Sequence, residues 1–262
     1  LSVVIEESEQ EFSLEKEYGG YFSGFVRDLK AGARYRFRID RASNLIPDPA
    51  SRFQPDGVHG PSEVIDPSAF EWADDQWRGV TLQGQVLYEM HVGCFTHEGT
   101  WQAGIAKLPH LVETGVTAIE VMPIAEFNGA FGWGYDGVYW YAPSHLYGTP
   151  DDFRSFVDAA HRLGLGVILD VVYNHFGPSG NYTGEYSGDY LSKRHPTEWG
   201  EAINFDAEGS GAVRDFVAHN AGYWMDEFHL DGLRLDATHA IYDDSRVHIL
   251  ADIGQAARRA AG

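Results

Sequence analysis

Three things are scarce in this chain of 262 residues: cysteine, lysine and long apolar segments. The one cysteine, Cys94, cannot form a disulfide within the chain, and the N-terminus shows no charged and apolar leader, so we expect a protein of the reducing cytoplasm. Apolar stretches such as 167–172, which Asp170 interrupts, are far shorter than the roughly 20 residues that a membrane span requires. The sequence therefore predicts no membrane segment.

Basic residues are few as well. The chain has 19 lysines and arginines, of which four are lysines, against 39 aspartates and glutamates, and its formal net charge is −20. A surplus of this sign repels phosphate backbones and anionic lipid surfaces. We therefore expect neither nucleic acid nor a membrane as a partner. The apolar content of 44% is enough for packed cores, which favours a globular protein.

The first 83 residues are predicted to form a small β-sandwich followed by a connector. Apolar and charged residues alternate over 34–39, which places Tyr35, Phe37 and Ile39 on a buried face and three arginines in solvent. Further strands are expected at 12–14 and 21–26.

The stretch from Pro47 to Pro67 contains five prolines, which predict an ordered connector without regular elements. We place the domain boundary near Gly84, between segments 1–83 and 84–262.

Strands and helices alternate after this boundary. The expected strands are 85–90, 118–122, 167–172 and 232–236. The helices that follow them are expected around Ile105 to Val112, from Thr149 as N-cap, from Val213 to Trp224 and from Ser245, with a Gly- and Tyr-rich excursion at 176–206.

Four β-α units in a row imply a parallel sheet with right-handed crossovers. A doubly wound sheet and a closed barrel both fit this pattern. Polar residues at the ends of several strands favour the (β/α)8 barrel, the TIM-barrel type, whose chemistry sits at the C-terminal ends of its strands. A complete barrel takes about 250 residues, so we expect 84–262 to hold only about its first half.

Two of these strands end in polar residues. Arg234 and Asp236 share a face because side chains two apart in a strand point the same way. We expect a buried arginine whose charge keeps Asp236 ionised and whose planar fork fixes its orientation. A purely structural arginine–aspartate pair is the alternative. Asp170 and Asn174 likewise share a face, and His175 lies just past the strand end, where it could donate to a sugar hydroxyl.

These strand ends resemble those of the α-amylase superfamily of retaining glycoside hydrolases and transglycosylases. Segment 170–175 (DVVYNH) is similar to the strand-three signature of that superfamily, and segment 232–236 (GLRLD) to its strand-four signature. The resemblance implies that Asp236 is the nucleophile, that Arg234 positions it and that His175 binds the sugar that is cut.

Three more residues take a role from this resemblance or from their position. Asp170 is expected to support the site from behind. Tyr135, in Gly134-Tyr135-Asp136, is expected to stack under the same sugar ring. His239 has two open interpretations, a contact to the sugar or a cap of the following helix.

A closer resemblance is to the maltooligosyltrehalose trehalohydrolase branch of the superfamily. The matching segments are 55–60, 91–96, 132–138, 174–182 and 234–239. Members of this branch cut the α-1,4 bond next to trehalose, so the implied partner is an α-glucan oligosaccharide, maltooligosyltrehalose. Two alternatives stay open: a glucan branching enzyme, which usually has Trp-Val-Pro where this chain has Val172-Tyr173-Asn174, and an inactive glucan-binding fragment.

We expect no cofactor and assign no metal. The 12 histidines show no paired metal spacing. Asn174 corresponds to a calcium ligand in some amylases, but the sequence shows no acidic cage around it.

The resemblance also implies a general acid, a glutamate after strand five, and a further aspartate, for which this chain offers no residue. A placed acid accounts for roughly 10² to 10⁴ in rate. We therefore predict that the purified 262-residue polypeptide alone releases no trehalose from maltooligosyltrehalose. Sugar chromatography of the reaction checks this, and robust release would contradict it.

Overall fold

A computed structural model describes residues 1–40 and 42–262. Its N-terminal strands are β1 (Ser2–Ile5), β2 (Glu11–Ser13), β3 (Glu15–Lys16), β4 (Phe22–Ser23), β5 (Arg34–Arg38) and β6 (Ser62–Glu63). Four of them form an antiparallel sheet in the order β2-β1-β5-β6, and β3 pairs with β4 in a separate hairpin. The predicted β-rich N-terminal segment is confirmed.

The arginines of β5 are not simply in solvent, as the alternation predicted. Arg36 forms a bidentate pair with Glu6, Arg34 pairs with Asp56, and Arg38 lies 3.2 Å from a Glu11 oxygen. The whole strand is half-buried on both faces. The prediction failed because the acidic partners come from other strands and from the connector.

The connector has regular structure, which corrects the sequence prediction. Ser62–Glu63 pairs with β5 as β6, and Ile46 forms an isolated bridge to Phe37. The connector also packs on the following part of the chain, because Tyr139 donates a hydrogen bond to the carbonyl of Val58. The boundary near Gly84 stays a prediction.

The second part holds the strands β7 (Leu87–Met90), β8 (Ala118–Val121), β9 (Ala125–Phe127), β10 (Gly137–Pro143), β11 (Gly166–Val171), β12 (Leu191–Thr197), β13 (Gly200–Ile203) and β14 (Gly232–Leu235). Its helices are α1 (Val92–Phe95), α2 (Trp101–Ile105), α3 (Leu108–Glu113), α4 (Pro150–Arg162), α5 (Thr183–Tyr186), α6 (Ser210–Glu227) and α7 (Ile249–Ala261).

One parallel sheet organises these elements. Its order is β14-β11-β8-β7, and every neighbouring pair in it is parallel. The strands are the first four of a (β/α)8 barrel, as predicted, and α2 to α4, α6 and α7 are the helices that accompany them. Aromatic residues fill the layer between sheet and helices; Trp101 stacks on Phe153 with ring centres 4.4 Å apart.

Two predicted helices differ from the structure. The expected helix through Ile105 and Val112 is divided into α2 and α3, because Pro109 at the start of α3 has no amide hydrogen to continue a helix from α2. The fourth helix begins at Ile249, with His248 and not Ser245 as its cap. Ser245 instead donates its amide to Asp243, which also accepts the amide of Ile249.

The start of α4 is confirmed. Thr149 and Asp152 form a reciprocal capping box, in which each side chain accepts the other's backbone amide. The excursion at 176–206 contains α5 and the hairpin β12–β13. No helix in the described ranges is both long and apolar enough to cross a membrane.

A buried histidine links the segment that follows the connector to the start of β14. His161 in α4 has a fully buried side chain, with Nδ1 2.9 Å from Asp74 and Nε2 3.1 Å from Asp231. Both ring nitrogens can donate only in the imidazolium form. Burial lowers the pKa of His161, but the hydrogen bonds to Asp231 and Asp74 raise it above its usual value on balance. Trp77 stacks on this ring and donates to Asp231.

We predict that His161→Gln destabilises the protein in a pH-dependent way. A cation whose pKa is raised by folding stabilises fully below its unfolded pKa, near 6.5, and this contribution is lost as pH rises through the folded pKa. The difference in free energy of unfolding between wild type and H161Q, from urea titrations, should therefore be largest in acid and shrink in alkali. The exposed His110→Gln is the control, and a pH-independent difference for H161Q would contradict the prediction.

Candidate active site

The centre of the site is one guanidinium nitrogen shared by two carboxylates. Nη1 of Arg234 lies 2.7 Å from Oδ1 of Asp236 and 2.9 and 2.8 Å from the two oxygens of Asp170. Asp170 is opposite Arg234 in the parallel register of β11 and β14. The strand pairing therefore brings the carboxylates of both sequence signatures to one cation. The pattern predicted the pairing of Arg234 with Asp236 but not the second carboxylate on the same nitrogen.

Asp236 follows the last residue of β14 and is held by a second partner. The side-chain amide of Asn174 donates to Oδ2 of Asp236 at 3.2 Å and to its backbone carbonyl at 3.1 Å. The Asp236 side chain remains 20% exposed. Its carboxylate is thus oriented on both oxygens and still reachable from solvent.

The backbone after Asp236 is strained. Ala237 has φ of +39° and ψ of +48°, the left-handed region that residues with a Cβ rarely adopt. Strain of this kind costs on the order of 1 kcal/mol and clusters at functional sites.

Arg234 is not buried, which corrects the prediction. Its side chain is 43% exposed in the described chain, where β14 is the last of the four barrel strands and pairs only with β11. The hydrogen bonds to Asp170 and Asp236 raise the pKa of the Arg234 guanidinium, against the cost of its partial burial. Its ion pairs and its partial exposure both favour the charged form.

Asp170 lies beneath this cation. Its residue is 2% exposed, and burial raises the pKa of its carboxyl to about 6 even though hydrogen bonds from Arg234 and Tyr135 lower it. The Tyr135 hydroxyl donates to Asp170 at 3.0 Å. The structure therefore brings Tyr135, Asp170, Arg234 and Asp236 together in one hydrogen-bonded group.

Two glycines allow close backbone approaches near the site: Gly134 in the β9–β10 loop packs on the β8–β9 turn, and Gly177 in the loop after β11 packs on the β9–β10 loop. Gly134 has φ of +90°, and a Cβ there would lie 1.9 Å from the carbonyl oxygen of Pro123. A Cβ on Gly177 would meet the carbonyl oxygen of Asp136 at the same distance. The first contact sets the position of Tyr135 and the second presses the loop that follows His175 against it.

His175 is buried beside this group. Its Nδ1 faces Oδ1 of Asn174, and its ring stacks on Trp199 with ring centres 5.3 Å apart. Burial lowers the pKa of His175, against the fields of Asp136 and Asp236. Sequence reasoning missed Trp199, which stands at the tip of the β12–β13 hairpin and is 46% exposed. No local pattern in the sequence pointed to this residue.

His239 lies in the short 3-10 turn Thr238–Ala240 and is exposed. The interpretation as a helix cap is wrong, because His248 caps α7. A contact between His239 and a sugar stays a prediction.

One group of residues has the composition of a metal site. His195, Asp206 and Asp244 offer ligand atoms within 4.8 Å of one another. The guanidinium of Arg194, however, is 3.4 Å from Asp206 and 3.4 Å from Asp244. Because this arginine already supplies the positive charge between both carboxylates, we assign the group as an ion-pair network.

The fold and the site define a class of protein. The chain contains the first four β/α units of a (β/α)8 catalytic domain, and its polar cluster lies where β11 and β14 end. Barrel enzymes carry their chemistry at this face. Family comparison agrees, since residues 64–204 match the model of the alpha amylase catalytic domain. The chain therefore belongs to the α-amylase family.

Individual relatives give a more specific comparison than the family model. The chain is 52% identical over 242 residues to a malto-oligosyltrehalose trehalohydrolase from Saccharolobus solfataricus, covering 92% of this chain and 43% of the relative. It is 53% identical over 224 residues to one from Deinococcus radiodurans, covering 86% and 36%. A 1,4-alpha-glucan branching enzyme from Mycobacterium tuberculosis is 33% identical over 238 residues, covering 83% and 32%.

A solved structure supports the same family. A Salmonella typhimurium protein assigned as an alpha amylase superposes with a TM-score of 0.93 at 46% identity, covering 98% of this chain and 43% of that one. The chain thus spans about two fifths of the length of the proteins it resembles.

We predict that Asp170→Asn changes the pH dependence of folding. An acid whose folded pKa is about 6 and whose ordinary value is 3.8 stabilises most in strong acid, and this contribution is lost as pH rises through the folded pKa. D170N, which stays neutral, should therefore gain stability relative to wild type between about pH 4 and pH 6 and change no further above that range.

Urea unfolding of both proteins at each pH measures this gain. Asp75→Asn, the same change at an exposed aspartate, is the matched control. An equal offset between D170N and wild type at every pH would show that folding does not raise the pKa of Asp170, and it would contradict the prediction.

Proposed function

We propose that the complete protein containing this chain is a retaining glycoside hydrolase that cuts the α-1,4-glucosidic bond next to trehalose in maltooligosyltrehalose. The observation that carries this proposal is Asp236, which is partly exposed and is held on both oxygens by Arg234 and Asn174. The trehalohydrolases at 52% and 53% identity support the particular substrate.

In the proposed mechanism an oxygen of Asp236 forms a bond to the anomeric carbon of the glucose unit. The bond from that carbon to the departing oxygen breaks, and its electron pair leaves with the trehalose unit, which takes a proton from a general acid. Water then hydrolyses the covalent intermediate and retains the anomeric configuration. No residue of this chain is assigned as the general acid, and we propose that the remainder of the complete protein supplies it.

The neighbouring residues have supporting roles in this proposal. Arg234 orients the attacking carboxylate through the hydrogen bond to its Oδ1. Asp170 anchors that guanidinium from below, and Tyr135 and His175 form the wall against which the sugar ring rests. The reaction would belong to trehalose formation in the cytoplasm, the compartment expected for a chain with a single cysteine.

The branching enzyme at 33% identity supports a second candidate. A branching enzyme passes the same covalent intermediate to a sugar hydroxyl instead of water. The two candidates differ in product, since hydrolysis of maltooligosyltrehalose yields free trehalose, whereas transfer to amylose yields branch points without new trehalose.

We predict that the complete reading frame releases trehalose from maltooligosyltrehalose and that Asp236→Asn lowers kcat by on the order of 10⁴-fold or more, as the loss of a covalent nucleophile does. Chromatography of the products and branch-point analysis on amylose make the measurement. Asp226→Asn, at an exposed position near the end of α6, should leave kcat unchanged.

Three results would contradict the proposal. Branched amylose without trehalose would assign the branching reaction. Glucan binding without turnover would assign a binding protein. Full activity in D236N would remove Asp236 from the chemistry.

A further inference from the structure

We propose that Asn174 is a positioning residue, whose side-chain amide holds the Asp236 carboxylate and the His175 ring in one arrangement. This inference rests on the proposed function, because it concerns how that reaction's nucleophile is oriented. The position corresponds to a calcium ligand in some amylases, whereas in this structure the side chain of Asn174 contacts Asp236 and His175.

The orientation of the Asn174 amide follows from its partners. The side chain is buried, with the residue 1% exposed. Its nitrogen lies 3.1 Å from the backbone carbonyl oxygen of Asp236, which can only accept a hydrogen bond. The amide oxygen therefore faces the other way, toward Nδ1 of His175, and that ring nitrogen carries the proton. A reversed amide would oppose two acceptors on one side.

The two oxygens of Asp236 have different partners. Arg234 holds Oδ1 at 2.7 Å and Asn174 holds Oδ2 at 3.2 Å. A carboxylate bound at one oxygen can still turn about its last side-chain bond, whereas one bound at both cannot. Asn174 thus removes the remaining rotation before an oxygen of Asp236 attacks the anomeric carbon, and a misplacement of about 1 Å at this step costs on the order of 100-fold in rate.

The backbone contact has a second effect. Ala237 keeps a left-handed conformation at φ of +39°, which is unfavourable for alanine. The bond from Asn174 to the carbonyl of Asp236 stabilises the peptide unit that leads into this turn. One side chain therefore fixes both the carboxylate and the backbone that carries it.

The test uses Asn174→Ala and Asn174→Asp in the complete protein. N174D keeps an oxygen toward His175 but replaces the donor that faces Asp236. We expect kcat to fall by on the order of 100-fold in both variants, while the KM of N174D changes by less than about threefold because substrate contacts are preserved.

A matched control separates positioning from stability. Asn204 is also buried, and its amide donates to the carbonyl of Asp189 in the excursion and to that of Glu208 just after it. N204A should lower the melting temperature without changing kcat per folded molecule. If the Asn174 variants behave in the same way, with lower melting temperature and unchanged kcat, Asn174 is merely structural and the inference is wrong.

A second readout does not depend on turnover. Crystal structures of wild type and N174A should differ in the orientation of the Asp236 carboxylate. If wild type cleaves no α-glucan, the proposed function fails, and these structures still decide the inference: a reoriented carboxylate supports it, and an unchanged one overturns it.

Discussion

The site depends on the guanidinium of Arg234. Asp170 and Asp236 belong to neighbouring parallel strands, and one nitrogen of Arg234 contacts both of them within 2.9 Å. Without this cation the strand register would place two carboxylates next to each other with only a tyrosine hydroxyl and an amide as donors. Even with Arg234 in place, the ionised form of Asp170 is disfavoured, because burial raises the pKa of its carboxyl to about 6. The partly exposed carboxylate of Asp236 therefore depends on the guanidinium of Arg234, which is itself held by the buried carboxylate of Asp170.

The strands supply the fixed part of this arrangement and the loops supply the rest. Tyr135 reaches the carboxylate of Asp170 from the β9–β10 loop. The loop after β11, which carries His175, touches that loop at Gly177, where a Cβ would not fit against the carbonyl oxygen of Asp136. Trp199 lies in the β12–β13 hairpin, which begins 15 residues after Phe176. It covers one side of the site by stacking on His175. The carboxylate of Asp236 is thus held by residues of the strands and their ends, whereas Tyr135 and Trp199 are contributed by loop segments.

Sequence reasoning predicted what depends on local rules. Period-two alternation was sufficient to place Arg234 and Asp236 on one face, and cap chemistry located the start of α4. Sequence reasoning failed where the exposure or contact of a side chain depends on residues that are distant in the sequence. The exposure of Arg234 depends on which strands pair with β14, and within the described residues only β11 does. The bond between Asn174 and Asp236 joins residues 62 positions apart, and no spacing rule predicts that contact.

The two ends of β14 show why the same kind of contact serves different purposes. Asp231, before the strand, accepts hydrogen bonds from Trp77, His161 and the amide of Val167, and its side chain is 4% exposed. Asp236, after the strand, has a partner on each oxygen but keeps 20% of its surface open. A carboxylate enclosed by donors has no approach left for an incoming carbon atom and can only stabilise the fold. A carboxylate that is oriented but open retains an approach, and the proposed reaction therefore uses the C-terminal end of this strand and not its N-terminal end.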